Sequence, residues 1–424
     1  MKFNSMFVKI KQGDRLVYKL RDESLRCELE ALNIEIINKF SLGIPNRNAI
    51  IKSLIQFLSQ GSIYYNQSNL TATPQKFFVI KSDIKNFFPS INKHKLYKKL
   101  VKSSLLKDSS MDIIKKFIFN SDISGVPLGM PFSNVLSEVY LEEFDDAIRR
   151  EFSPIFYVRY VDDILMIKSY PQNMTIDKDS EKNLLFSLLE QIDLSANESK
   201  TDIYEYKPSA NKSKTDTYEN KPSANTLNFE YLGYNFNISD KKLYIDISKK
   251  KYDKKVLNRL TRYFKYYKSS AHTDEDFWIL YYRLKNLIYG VTSSGEKGID
   301  YKLKFGIGFN YKFINSDKRL KDLLKAFHYF RTKYSNNFTS EQTARLFSLI
   351  TVDSSINGRI ILNQFSDIDD ILLLLKKRTT YTKYSTIKLE EIAQQIGCPS
   401  IVRSNNNLYR YNLQIQIMKK LRIH

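Results

Sequence analysis

The chain has 424 residues, more than one hydrophobic core usually serves, so two or three domains are expected. Its 67 Lys and Arg against 46 Asp and Glu give a formal net charge of +21, which favours a polyanionic partner through long-range attraction and counterion release. Two distant cysteines, Cys27 and Cys398, and four scattered histidines exclude a zinc site of ordinary ligand spacing and fit a cytoplasmic setting, while no apolar run is long enough to span a bilayer.

From Ser24 to about Leu58 apolar residues recur at helical spacing, with a break at Gly43-Ile44-Pro45-Asn46, and this predicts two helices. Phe77-Phe78-Val79-Ile80 is a β-rich run leading into Asp83, and Asn92 is placed to cap a helix carrying Leu96 and Leu100. Ser133 opens a further helix with Leu136, Val139, Tyr140, Phe144 and Ile148 on one face. Residues 156–160 and 164–167 read as strands flanking a hairpin tip at Val161-Asp162-Asp163. A helix near 181–194 and a strand at 229–236 complete an α+β order, an antiparallel sheet with helices on one face.

Residues 198–211 (ESKTDIYEYKPSAN) are followed at once by 212–225 (KSKTDTYENKPSAN), a tandem repeat differing at three positions. Being polar, with Pro208 and Pro222 and no periodic apolar face, it reads as a lengthened surface loop, where insertion costs little closure entropy. After residue 240 the chain is dense in Lys and Arg interleaved with Tyr252, Tyr263, Phe264, Tyr266 and Tyr267, and helical patterns recur at 276–289 and 317–334. Near the end, residues 389–398 hint at a helix-turn-helix, but the apolar residue expected after the turn falls one place early, at Val402, and an ordinary helical hairpin is the better reading.

Three segments carry chemistry. They are Ser82-Asp83-Ile84-Lys85-Asn86-Phe87-Phe88, Gly125-Val126-Pro127-Leu128-Gly129-Met130-Pro131-Phe132-Ser133-Asn134, and Tyr160-Val161-Asp162-Asp163. Taken singly, each acid reads as a solvated turn residue. Together they put carboxylates at the ends of two apolar strands, as phosphoryl transfer assisted by two metal ions requires. Gathered without counter-charge, such acids repel one another and their pKa values rise; a hard divalent cation removes that conflict.

These segments resemble motifs A and B and the catalytic box of reverse transcriptases, and Phe229-Glu230-Tyr231-Leu232-Gly233-Tyr234 resembles the family's motif E, the primer grip. The resemblance covers roughly residues 40–240. It implies a right-hand polymerase: N-terminal helices and fingers over 1–70, a palm over 71–240 with a fingers insertion at about 95–125, a basic helical thumb over 241–335, and an accessory region over 336–424. It implies that Asp83 and Asp162 bind two Mg²⁺ ions, with the Ile84 carbonyl as a further ligand, Asp163 completing the cluster and Mn²⁺ able to substitute. Phe88 then falls where the family places a steric gate against ribonucleotides, Gly129 where backbone approaches the nucleotide, and Ser133 beside it. Leu232, Gly233 and Tyr234 would grip the primer. The motif D lysine is Lys200 or, through the duplication, Lys214, and Arg47 and Lys52 lie where relatives hold the triphosphate.

The expected reaction is RNA-directed addition of dNMP to a 3′-hydroxyl. Expected partners are dNTPs, an RNA template or noncoding RNA, and the DNA product, with no membrane; a partner protein or self-association is left open. The Ser133-Asn134 ending and the C-terminal extension resemble prokaryotic defence-associated and abortive-infection reverse transcriptases, and residues 43–54 resemble their type-three class. Leu128 stands where many relatives carry Gln. A retron-type enzyme making a branched RNA–DNA and a maturase-like RNA-binding scaffold are the alternatives.

Overall fold

The structure is a computed structural model that describes residues 7–13, 15–61, 70–171, 175–208, 226–294, 302–356, 358–402 and 406–421. Two compact units are present, Met1–Phe57 with Thr73–Leu227, and Leu58–Ala72 with Asn228–His424.

The first unit begins with an antiparallel hairpin, β1 (Phe7–Gln12) and β2 (Arg15–Leu20), paired from Phe7↔Leu20 to Gln12↔Arg15. Phe7 and Tyr18 are buried and meet edge to face at 5.4 Å, while the rest of the hairpin is mostly exposed. Helix α1 (Glu23–Lys39) starts where the Asp22 side chain accepts the Ser24 N–H, and it buries Leu29, Leu32 and Ile36. After the Gly43–Asn46 break comes α2 (Arg47–Leu58). A two-residue strand, β3 (Leu70–Thr71), belongs to the second unit.

Strand β4 (Phe77–Asp83) leads into the short α3 (Phe87–Ser90), then α4 (Lys93–Ser103), capped by Asn92 as expected, and α5 (Asp108–Ile118). The long α6 (Ser133–Phe152) is followed by β5 (Phe156–Tyr160), β6 (Asp163–Ser169), α7 (Lys178–Gln191) and β7 (Asp202–Tyr206). The four strands form an antiparallel sheet in the order β5-β6-β4-β7. One core joins Phe78, Ile80, Ile164 and Met166 of the sheet to Leu136, Val139 and Phe144 of α6 and Leu185 and Leu189 of α7. β4 lies in the middle, and its apolar run from Phe77 to Ile80 is buried throughout, which fixes where the strand must end: at the polar step carrying Asp83.

The expectation that the duplicated segment is all surface loop fails for its first copy, which supplies β7. Its buried residues, Ile203 and Tyr206, fall on opposite faces of the strand, Ile203 in the helix-covered core and Tyr206 against the Phe77 ring at 5.1 Å. No two-residue period results, and the strand is hidden from a pattern search.

In the second unit β8 (Leu227–Tyr231), β9 (Tyr234–Ser239) and β10 (Lys242–Ile247) form a sheet in the order β3-β10-β9-β8. Helix α8 (Lys249–Tyr252) runs through a π turn at Asp253–Leu257 into α9 (Asn258–Lys268). Tyr252, Phe264 and Tyr267 face inward here, while Tyr266 is exposed beneath the Arg283 guanidinium at 4.7 Å. Then come α10 (Asp274–Ile288), opened by a Thr273/Asp276 capping box, β11 (Gly290–Ser294), β12 (Lys302–Phe305), α11 (Ile307–Asn310) and α12 (Lys318–Lys333).

The last part holds α13 (Ser340–Ser348), the hairpin β13 (Thr351–Ser354) and β14 (Gly358–Ile361), α14 (Ile368–Leu373), β15 (Arg378–Thr379), α15 (Thr386–Gln395) and α16 (Asn406–Leu421). Tyr282, Tyr381, Leu389, Ile392, Leu413 and Ile417 share a second core there. The region after residue 240 therefore mixes strands with its helices. No helix among the described residues is long and apolar enough to cross a membrane.

Candidate active site at the end of the first unit's sheet

Pairing of β4 with β6 sets Asp83 directly opposite Asp163. On the other side of β6, Tyr160 pairs with Asp163, leaving Val161-Asp162 as a two-residue turn. The Ile84 N–H donates to the Asp162 carbonyl at 3.0 Å, which ties that turn to the end of β4. Strand register thus brings Asp83, Asp162 and Asp163 to one end of the sheet.

The electrostatics of this end are strained. Burial, with Asp83 close by, raises the Asp162 carboxyl above its ordinary pKa despite the opposing pull of Arg15 and Lys200. Asp163 is pushed up to about 6, by burial first and then by the charges of Asp162 and Asp83. Two largely exposed cations pair with the acids, and Lys81 also acts on Asp163. Lys200 places Nζ 2.7 Å from Asp83 Oδ1, and Arg15 of β2 places Nη2 3.7 Å from Asp162 Oδ2. Both are largely exposed, at 53% and 69% of the side chain, so solvent weakens their hold.

Lys200 comes from a short 3-10 turn, Glu198–Lys200, that leans on β4. The Asn197 N–H donates to the Asp83 carbonyl at 2.7 Å, its side-chain amide reaches Asp83 Oδ1 at 3.3 Å, and the Ser82 and Thr201 hydroxyls meet at 2.8 Å. Lys214 lies outside the described residues. The sequence nevertheless favours Lys200 once β7 is known. The copies differ at Glu198/Lys212, Ile203/Thr217 and Tyr206/Asn220. Two of those differences replace buried apolar side chains of β7 by polar ones, so the first copy is the better strand.

The other expected residues take the following places. Phe88 is 9% exposed, packed beside Phe87 at 5.2 Å, and Ile84 is buried in the same core. Gly129 has φ +103, and a Cβ there would stand 2.5 Å from the Tyr18 carbonyl oxygen and 2.8 Å from Val17 Cγ1. The Tyr18 N–H also donates to the Leu128 carbonyl at 2.8 Å, so the N-terminal hairpin needs this glycine whether or not a nucleotide does. Ser133 is buried and its hydroxyl donates to the Pro127 carbonyl. Arg47 and Lys52 lie on α2, and Arg15 of β2 pairs with Asp162. In the second unit Leu232 and Gly233, with φ +45 and +84, make the β8–β9 turn, and the buried Tyr234 donates its hydroxyl to the Asn310 carbonyl at 3.0 Å.

Sequence reasoning missed Arg15 and Asn197. The alternation of residues 7–20 around Gly13 is the signal that could have found the hairpin bearing Arg15. Among the described residues no group of three or more His, Cys, Asp or Glu is gathered as tightly as a metal ion needs. Lys200 and Arg15 stand against two of the acids instead. The donors themselves suit a hard divalent cation: they are carboxylate oxygens, and at Asp162 and Asp163 burial first, then the neighbouring acids, raises the pKa.

A family profile described as "Reverse transcriptase (RNA-dependent DNA polymerase)" matches residues 13–236. No curated protein matches the chain. Among solved structures the chain is similar to telomerase from Candida albicans in complex with a TWJ fragment of telomeric RNA, with 11% identity and TM-score 0.41 over 98% of this chain and 61% of that one. It is similar also to apo telomerase from Candida tropicalis, with 12% identity and TM-score 0.37 over 94% of this chain and 57% of that one. The chain spans less than two thirds of the length of either.

Proposed function

This chain belongs to the reverse transcriptase family, and from that premise we propose that it is an RNA-directed DNA polymerase adding dNMP to a 3′-hydroxyl. The observation that carries the reading is the register that sets Asp83 opposite Asp163 with Asp162 in the adjoining turn. Members of the family use divalent metal ions, and here Asp83, Asp162, Asp163 and the Ile84 carbonyl would hold two Mg²⁺ or Mn²⁺. The chemistry those ions supply when bound is activation of the 3′-hydroxyl and neutralisation of the departing pyrophosphate.

The chain's own groups do the rest. Lys200 holds a proton at Nζ beside Asp83, ready for a leaving phosphate oxygen. Arg15, exposed at the hairpin end, supplies fixed positive charge for a triphosphate. Phe88, Gly129 and Ser133 would shape the nucleotide side, Leu232, Gly233 and Tyr234 the primer side, and the excess of Lys and Arg draws the nucleic acid.

The test is primer extension on an RNA template with dNTPs and Mg²⁺. Incorporation by the native chain, lost in Asp162→Asn with Asp163→Asn, is expected; equal incorporation by the double variant would overturn the assignment. We read the biological role as antiphage defence with a dedicated noncoding RNA, supported by the resemblance of Ser133-Asn134 and the C-terminal region to defence-associated enzymes. Phage plating on cells carrying the native or doubly substituted chain, with sequencing of co-purified RNA, tests it. Equal plating efficiency would remove the defence role.

A further inference from the structure

Arg159 stands on β5, two residues before Val161 of the β5–β6 turn, and its side chain is 4% exposed. Its Nε and Nη2 fork onto Asp145 at 2.9 and 2.7 Å. Nη1 and Nη2 fork onto Glu138 at 3.1 and 2.6 Å. The remaining Nη1 hydrogen goes to the Val161 carbonyl at 3.1 Å. A guanidinium has five N–H donors, and every one is used. Both acids lie on α6, the helix that Ser133 opens.

What Arg159 holds is an unfavourable backbone. Val161 has φ +60, a left-handed conformation that crowds a β-branched side chain and that glycine usually supplies in a two-residue hairpin turn. The next carbonyl, of Asp162, accepts the Ile84 N–H. Two successive carbonyls of the turn are therefore pinned, one through Arg159 from α6 and one from the end of β4. Rotation of the peptide between Val161 and Asp162 would relax Val161 and swing Asp162 away from Asp83.

We infer that Arg159 is a positioning residue: through the Val161 carbonyl it holds the turn in the conformation that turns Asp162 and Asp163 toward Asp83. The inference deepens the polymerase reading and rests on it for its kinetic consequence, but the aim of the acids can be read without turnover, by titrating the protein with Mn²⁺ and counting free ion by electron paramagnetic resonance.

Arg159→Lys keeps the charge but cannot fork onto two carboxylates and a carbonyl together. It is expected to weaken Mn²⁺ binding about tenfold and to lower kcat by a similar factor, with KM for dNTP within about twofold. Adding Val161→Asn, a residue that tolerates the left-handed region, should restore most of both losses. A folded Arg159→Lys protein with native Mn²⁺ affinity, or one whose losses Val161→Asn leaves untouched, overturns the proposal. If Arg159→Lys does not fold, Arg159→Gln with Glu138→Gln and Asp145→Asn removes the charges together; the same losses and rescue are expected, and failure of this variant also to fold would assign the network to folding alone and overturn the proposal. Native Mn²⁺ binding that depends on Arg159 in a protein unable to extend a primer would instead sink the polymerase reading and leave this one standing.

Discussion

Asp162 and Asp163 lie at the turn of the β5–β6 hairpin, while Glu138 and Asp145 lie beside its first strand, and the two pairs of acids meet opposite surroundings. Glu138 and Asp145 enclose a buried guanidinium and spend their oxygens on it. Asp162 and Asp163 face Asp83 and one another, the Lys200 and Arg15 near this cluster are largely exposed, and burial with the neighbouring acids raises both pKa values. The first arrangement is a closed network that fixes a backbone. The second is an open one that wants positive charge from outside. Burial of an acid says little about its role; what neutralises it says more.

The contrast is broken most forcefully by neutralising each pair. Asp162→Asn with Asp163→Asn should cut primer extension by about a thousandfold or more, since the acids act where charge develops. It should leave thermal stability equal or higher in metal-free buffer, because like-charge repulsion is removed. Glu138→Gln or Asp145→Asn should cost about 3–5 kcal/mol, since a buried Arg159 loses a partner. Chemical denaturation of the three proteins decides. Equal destabilisation by both kinds of substitution would erase the distinction.

The duplicated segment offers the next largest effect. Deleting 212–225 and deleting 198–211 give chains of one length that differ only at the three positions where the copies differ. The first deletion should leave stability and extension near native. The second puts Thr and Asn where β7 buries Ile203 and Tyr206, and should cost on the order of 4 kcal/mol. Matching stabilities would show that either copy forms the strand, and would reopen the choice between Lys200 and Lys214.

How far the sequence discloses this molecule follows the range of each interaction. Asp83 and the 160–163 turn are legible because strand ends, turn chemistry and apolar runs are local. So are α1, α2, α6, α10 and α12 from their apolar spacing, with side-chain caps besides at α1, α2 and α10. Arg15 is not legible, because nothing near residue 15 says that its hairpin ends beside Asp162. β10 carries Leu243, Ile245 and Ile247 in alternation, but the lysines around it read as a helical face. Arg159 shows only as a basic residue in a strand until α6 brings Glu138 and Asp145 to it.

A smaller effect comes from pH. The folded-state pKa of Asp163, about 6, lies above the ordinary carboxyl value, so the native state keeps that proton longer than the unfolded chain does. Its contribution is whole below about pH 4 and is lost as pH rises through about 6. In chelator, stability should fall by about 2 kcal/mol between those limits, and Asp163→Asn should flatten that fall. Mg²⁺ added at pH 8 should restore much of the loss. A profile unchanged by Asp163→Asn would mean that the open cluster stores no strain.

The smallest effect on the fold belongs to Arg15, and for that reason it separates holding from binding most cleanly. Its ion pair with Asp162 is 3.7 Å long and its side chain is 69% exposed, so Arg15→Ala should change stability by no more than about 0.5 kcal/mol. The same substitution removes positive charge set beside Asp162, and the Coulomb cost of seating a triphosphate there should rise. KM for dNTP is expected to increase about tenfold with kcat nearly unchanged, the pattern of lost ground-state binding. Arg47→Ala, on α2, is the matching control. If Arg47→Ala raises KM and Arg15→Ala does not, the exposed cation at the hairpin is a surface charge and the triphosphate is held from α2.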